Sequence, residues 1–412
     1  MKRTNLVIVL MSLFLLDACN PVTDLPPITV DNVGDGLDSP TPLNLTKAPP
    51  VNQPAPSATA VSHCRNSFSD FYAALVVYRD LQAPILRIAR TEGDQEIETE
   101  DFESTEWIVD NSVAWSTDGN RIAYSVETKN GDPGIAILEL ASHDRKLLTI
   151  NRQDINSTPL AYTFRVPPLG FSPNDEWIRT MIRYLSNTTG HEIISDVIIN
   201  FDNSRLIFLD PEEGFASWGT SDKDTVFYTV RAMRDLNKSV IYRYHIDGNG
   251  NPVREVAREI PLIDSYQLSL SYRDSLIAFM DREALQIHIE HIFSDDQILT
   301  YSAEYSNLWM GPWSTGDQWV AAYKIPLNYL VFFNSSENTS IAYPLNLMPY
   351  SMPIGWAPDF DEFYYQEGVN LYSVSPTREQ ICYRGTLFKE ETENMGGIPP
   401  SASLYFPSGD SP

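Results

Sequence analysis

Trp115-Ser116-Thr117-Asp118-Gly119-Asn120-Arg121-Ile122-Ala123-Tyr124 decides the reading of this chain, because the same phrase returns along it. Its parts are an aromatic or large apolar residue, then Ser, Gly or Ala, then a polar turn, then an apolar run that begins about seven residues on. Further copies start at Phe171 (FSPNDEWI), Trp218 (WGTSDKDTVF), Leu270 (LSYRDSLIAF), Trp313 (WSTGDQWVAAY) and Trp356 (WAPDFDEFYY), with a degenerate one at Phe68 (FSDFYAALVVY). Intervals of 43 to 56 residues mark a repeat protein, and strand-rich units of that length are propeller blades.

Local patterning agrees. Ile122, Tyr124 and Val126 alternate with Ala123 and Ser125, and residues 135–140 (IAILEL) form the next strand-like run, the period-2 signature of strands. Long helical periodicity is absent. The sequence predicts an all-β chain with a single β-propeller of four-stranded antiparallel sheets over residues 62–390, and a C-terminal tail at 391–412. Seven blades are expected, or six if the degenerate first copy only completes the last blade. A span of about 340 residues exceeds the usual single-core limit, but in a propeller each blade packs only on its neighbours and the core becomes a ring of layers.

The series WSTDGNRIAY followed by GIAILEL (residues 134–140) is similar to the repeat of TolB-type, WD-like propellers, and residues 245–254 (HIDGNGNPVR) resemble the turn that follows in that family. The likeness runs from about Phe68 to Leu387 and lacks the Gly-His and Trp-Asp pair of true WD repeats. It implies a protein-interaction scaffold and transfers no partner.

Upstream, Lys2 and Arg3 lead into an apolar run from Leu6 to Leu16 and then Asp17-Ala18-Cys19. This has the order of a secretory signal and falls short of the roughly 20 residues a membrane-spanning helix needs. Leu16-Asp17-Ala18-Cys19 resembles the lipobox of bacterial lipoproteins, with Asp17 departing from its usual small or uncharged residue. The resemblance implies residues 1–18 as a removed signal peptide, Cys19 as the lipidated first residue, and an extracytoplasmic protein anchored to a bacterial membrane. Asn20, not being Asp, implies the outer membrane where the cell has one, and otherwise the cell surface. Residues 19–61 carry Pro at 21, 26, 27, 40, 42, 49, 50, 54 and 56 among Thr, Asn, Asp and Ser, a composition that cannot bury a core. They read as a stalk that, at about 3.1 Å per residue, reaches up to roughly 120 Å.

After maturation Cys64 and Cys382 are the remaining cysteines. In a closed ring the first and last blades are neighbours, so the two either pair as a clasp, in keeping with an oxidising compartment, or stay as separate thiols. The formal charge of −26 argues against nucleic acid and against docking on anionic lipid by charge, which leaves the Cys19 lipid as the membrane contact.

Signatures of catalysis are missing. The chain has no Gly-x-Ser-x-Gly elbow, His-Glu-x-x-His helix or Walker loop, and no cofactor is expected. In His288-Ile289-Glu290-His291 the two His point to opposite faces of a strand, so no metal site is read there. Asp247-Gly248-Asn249-Gly250-Asn251 has oxygen side chains at alternate positions, as calcium loops do, but Pro252 and the Asp-Gly and Asn-Gly pairs suit a tight hairpin. The Asn-x-Ser/Thr triplets at Asn156, Asn187, Asn237, Asn334 and Asn338 are glycan acceptors only in a eukaryotic secretory route.

Function is therefore expected in loops. The hairpins at Glu127–Pro133, Leu185–Ile194 and Ala232–Lys238 are long, whereas those at Asp281–Ala284 and Gln366–Val369 are short. The long ones carry Lys129, Asn187, His191, Arg231 and Arg234, basic or polar residues on an acidic body, and are the expected binding sector. Two function classes follow. One is a tethered, non-catalytic scaffold for an envelope or extracellular protein. The other is a glycan binder or glycoside hydrolase, for which 21 Tyr and 8 Trp supply stacking platforms.

Overall fold

The computed structural model describes residues 71–405 except 78–83, 93–94, 151–156, 160–169, 187–188, 220–224, 272, 274, 295–296, 304–306, 325–328, 345–350, 358–361, 368–369, 379 and 387–402. Seven antiparallel sheets, each built on a four-strand path, form a seven-bladed propeller. Blades two, four, five, six and seven each run in chain order from the innermost strand outward; blade two, for example, is Trp107–Trp115, Arg121–Glu127, Pro133–Glu139 and Arg145–Thr149. Blade three divides its inner position between Ser157–Pro159 and Gly170–Phe171, both paired with Trp177–Ser186.

Blade one settles the choice between six and seven. The degenerate copy forms Phe71–Val77, paired on one side with Ile85–Glu92 and on the other with Ser403–Tyr405. The propeller thus extends past residue 390, and part of the expected tail is a blade strand. Its three residues follow no copy of the phrase, so nothing in the repeat marks them.

Alternation along the strands has a direct cause: both faces of a sheet are buried, each against a different neighbour. Ile122, Tyr124, Val126, Ala136 and Leu138 pack on blade one through Ala74, Leu86 and Ile88, whereas Ala123, Ile135 and Ile137 pack on blade three through Ile178, Val197 and Ile199. Such a layer lies between every adjacent pair of blades. The ring closes through Phe71, Ala73 and Ala89 of blade one against Ala357, Tyr364 and Leu371 of blade seven. Each large side chain so buried contributes about 1.5–3 kcal/mol.

Geometry explains the recurring phrase residue by residue. Its Ser lies in the turn between the first and second strands of a blade, with the side chain buried at Ser116, Ser172, Ser271 and Ser314. In each case Oγ accepts the backbone N–H five residues on: Arg121 at 2.9 Å, Trp177 at 3.0 Å, Leu276 at 3.1 Å and Trp319 at 3.0 Å. The third residue after Ser has positive φ, at Gly119 (71°), Asp175 (55°) and Asp317 (56°), a region that Gly and Asp tolerate better than most residues. The Trp that opens the phrase ends the innermost strand, and in three copies, though not at Trp313, it reaches back to the preceding blade. Its indole N–H donates to a carbonyl there, from Trp115 to Ser403 (3.1 Å), from Trp218 to Gly170 (3.3 Å) and from Trp356 to Pro312 (2.8 Å).

Candidate functional site

The sheets present two unlike faces. One carries the phrase turns together with the turns between third and fourth strands, joined by bonds such as Leu140 N–H to Asn120 O (2.9 Å) and Ile246 N–H to Thr225 O (3.0 Å). Blades are stitched together there: the Asp175 carboxylate accepts the N–H groups of Thr117 (2.7 Å) and Asp118 (3.2 Å) of the neighbouring blade, and Asp317 accepts Arg273 N–H (3.2 Å). On this face Asp247–Asn251 is a hairpin turn whose oxygens are engaged. Asp247 Oδ1 accepts the N–H groups of Asn249 and Asn251, and Arg205 donates to Asn251 Oδ1.

The opposite face carries the hairpins between second and third strands and the connectors between blades. Between blades four and five it opens into a cleft of about 220 Å³. Three backbone segments form it. Blade four contributes the hairpin joining Val226–Met233 to Lys238–Ile246, whose tip is the single 3-10 turn Arg234–Leu236, closed by Asn237 at φ 50°. From blade five comes the hairpin after Asp281, where Asp281 Oδ1 accepts the N–H groups of Glu283 (2.9 Å) and Ala284 (3.0 Å). The floor is the connector from Pro261 to Gln267, which holds a second 3-10 turn at Ser265–Gln267.

Two local locks hold that connector. Ser239 Oγ accepts Ile263 N–H (3.0 Å) and donates to Ile263 O (3.2 Å). Gln267 N–H donates to Asp264 O (2.9 Å), and Asp264 N–H donates to Gln267 Oε1 (3.0 Å). Gln267 is fully buried, yet its Nε2, which carries two donor hydrogens, has no hydrogen-bond partner. An unmade bond at a buried amide costs about 1–3 kcal/mol.

Above it Asp264 faces two arginines, Arg282 at 3.0 Å and Arg234 at 3.9 Å. The Arg234 side chain is 81% exposed. Such an ion pair contributes about 0–1 kcal/mol, which leaves Arg234 free to turn toward a ligand. The Arg282 guanidinium also lies 5.3 Å from the centre of the Tyr266 ring, and Tyr266 stacks on Trp309 at 4.7 Å and 28°.

Of the residues expected from sequence, only Arg234 lines the cleft. Arg231 folds back on Glu212 and lies 3.7 Å from Asp210, so it is neutralised within its own blade. Lys129 and His191 are exposed on the hairpins of blades two and three, and Asn187 lies outside the described residues. Among the described residues of the expected binding sector only Arg234 meets the cleft between blades four and five, and its neighbour there, Arg282, comes from a hairpin set aside as short. Sequence reasoning missed Asp264, Tyr266, Gln267, Arg282 and Trp309. A usable signal was the polar run Asp264-Ser265-Tyr266-Gln267 between two blades, where a connector otherwise needs only to pass.

Elsewhere the buried carboxylates are committed. All five buried carboxylates among the described residues have partners. Besides Asp175 and Asp317, Asp196 accepts from Arg179 (2.8 Å) and Phe215 N–H (2.9 Å), and Glu362 accepts from Arg384 and from Ser373 (3.1 Å). Glu213 accepts from Thr229 (3.0 Å), Tyr244 (2.7 Å) and Arg254 (2.5 Å). Burial, with Glu213 beside it, pushes the Tyr244 hydroxyl above its usual range. His288 stacks on Phe279 and lies 3.4 Å from Thr300 Oγ1, and burial holds its imidazole below the usual range although Glu290 and Asp281 pull the other way. Among the described residues no three His, Cys, Asp or Glu side chains group as metal ligands. Cys382 is buried in the strand Gln380–Thr386 of blade seven and is disulfide-bonded; the other cysteines of the chain, Cys19 and Cys64, lie outside the described residues.

No protein-family model matches the chain, and no curated protein matches it. Solved structures are similar to it at low identity. Apo AztD from Citrobacter koseri is similar over 84% of this chain and 100% of its own, with 8% identity and a TM-score of 0.46. A putative 6-phosphogluconolactonase from Bacteroides fragilis is similar over 82% and 98%, with 13% identity and a TM-score of 0.48. TolB from Acinetobacter baumannii is similar over 76% and 67%, with 16% identity and a TM-score of 0.38. Resemblance at this distance concerns the propeller shape and carries neither activity nor partner.

Proposed function

We propose that this chain is a lipid-tethered, extracytoplasmic propeller that acts as a non-catalytic recognition scaffold and engages an envelope or extracellular partner through its hairpin face. The supporting observation is the contrast between five buried carboxylates held in structural bonds and a cleft on the hairpin face lined by the exposed Arg234 and the half-exposed Arg282. A catalytic acid must be able to give or take its proton during the reaction; groups bonded to arginine and backbone N–H are poor candidates for that role. Cys19 supplies the tether in this reading, and replacing it by Ser is expected to move the protein from the membrane fraction to the soluble one.

Affinity capture from detergent-solubilised envelope tests the scaffold, with the full chain beside an Arg234→Ala/Arg282→Ala variant. A partner retained by the first and lost from the second is expected. Equal retention by both would remove the cleft from the interface, and retention of nothing would defeat the reading. A glycan in place of a protein partner is favoured by one feature, the mixture of donors, acceptors and stacked rings at the cleft.

A further inference from the structure

We infer that the outer edge of blade four is a docking surface for a second copy of this chain, the two joined strand to strand about a two-fold axis. This goes beyond the recognition surface of the hairpin face and does not depend on it.

The edge is the strand Pro252–Pro261 (PVREVAREIP), the last in its sheet. At ten residues it is the longest outer strand among the described residues, and of its side chains only Ile260 is buried. An exposed edge of this kind is a template for another strand. It is also apolar in places. Val256 is 60% exposed, and Phe293, which precedes the Ser294 carbonyl that Arg258 holds, is 61% exposed. These are the two most exposed large apolar side chains among the described residues, and Val253 adds a third.

The order of charges names the occupant. A two-fold contact sets one surface against its own copy, so the strand must be complementary to itself. About an axis between Val256 and Ala257, Arg254 meets the second copy's Glu259, Glu255 meets its Arg258, and Val253 meets its Ile260. Residues directly opposed in an antiparallel pair share a face of the sheet. In a regular strand these pairs would fall on opposite faces, because side chains alternate with period 2. A bulge removes the conflict: the register with Lys238–Ile246 steps over Ala257, with Val256 opposite Tyr242 and Arg258 opposite Ile241. Arg254 and Glu259 therefore share one face, opposite Tyr244 and Val240, while Val253, Glu255, Arg258 and Ile260 share the other.

Other outer strands lack this order. Gln95–Phe102 carries four acids and no base, and Arg145–Thr149 carries two bases and no acid, so each repels its own copy. Although the chain has a formal charge of −26, this strip is neutral. Its two arginines and two glutamates cancel, and so do their partners within the chain, Lys238, Arg243, Glu213 and Glu290. At physiological salt the screening length is about 8 Å, so this local balance counts for more than distant acids.

Light scattering on the full chain in detergent at physiological salt, corrected for the detergent, tests this. Twice the mass of one chain is expected in the micromolar range. Val256→Lys changes an exposed side chain and sets two like charges beside the axis; it is expected to weaken the dimer at least about tenfold, with the thermal melt unchanged. Val256→Cys is expected to give a covalent dimer on a non-reducing gel after mild oxidation, whereas Leu147→Cys, on the outer strand of blade two and also exposed, is not. A single-chain mass for the unaltered protein, a Val256→Lys variant that stays dimeric, or equal cross-linking of the two cysteine variants would overturn the inference.

Discussion

Aspartates on the two faces of the ring do opposite things. On the turn face Asp175 is 8% exposed and spends its carboxylate on two N–H groups of the preceding blade. On the hairpin face Asp264 is bonded well to one arginine and loosely to another, which is 81% exposed. The first arrangement is closed, whereas the second leaves an exposed arginine loosely held. Stability and recognition are therefore assigned to different sides of the same sheets, as is usual where loops carry function on a rigid scaffold.

The largest test of that division is the disulfide of Cys382. If its partner is Cys64, reduction removes a clasp across the ring, and a loss of about 2–5 kcal/mol is expected in denaturant unfolding with and without reductant, while partner binding at low denaturant is kept. Asp175→Ala should rank next, costing about 1–3 kcal/mol because two backbone donors lose their acceptor; a variant as stable as the parent would show that the stitch is ornamental. Acid gives a smaller effect. Although burial opposes it, hydrogen bonds from Ser116 and Asn120 hold the Asp118 carboxyl below its usual range. Its contribution is present above the ordinary carboxylate pKa and is lost as pH falls through the lowered one, so Asp118→Asn should flatten the fall of the melting temperature on acidification. At the bottom of the scale, Arg234→Ala on the hairpin face should change stability by no more than about 0.5 kcal/mol. A larger loss by thermal or denaturant unfolding would mean that the cleft is structural.

Legibility in the sequence follows the same line. The phrase is readable because each of its residues answers a local demand that recurs: a buried hydroxyl for one N–H, a positive φ, an indole that reaches the previous blade. Ser403–Tyr405 escaped because three residues of strand carry no such demand. The cleft escaped for a different reason. Arg234, Gln267 and Arg282 come from three segments with unrelated local roles, and only the packing of blade four on blade five through residues such as Ile260, Ile263 and Phe279 brings them together. Arg234 could be singled out as a basic residue on a long hairpin, but Arg231 had the same credentials and is tied to Glu212. Side-chain pairing within a blade, not residue type, separates the two.

Ser403–Tyr405, the strand that completes blade one, also has a meaning in time. Phe71–Val77 is synthesised early and must wait for a partner made after almost the whole propeller has followed it, and long-range pairings of this kind are slow. Until then the first sheet has an open edge, the kind of surface that recruits other chains. A chain that lacks Ser403–Tyr405 would keep six complete blades and leave that edge of the first sheet open.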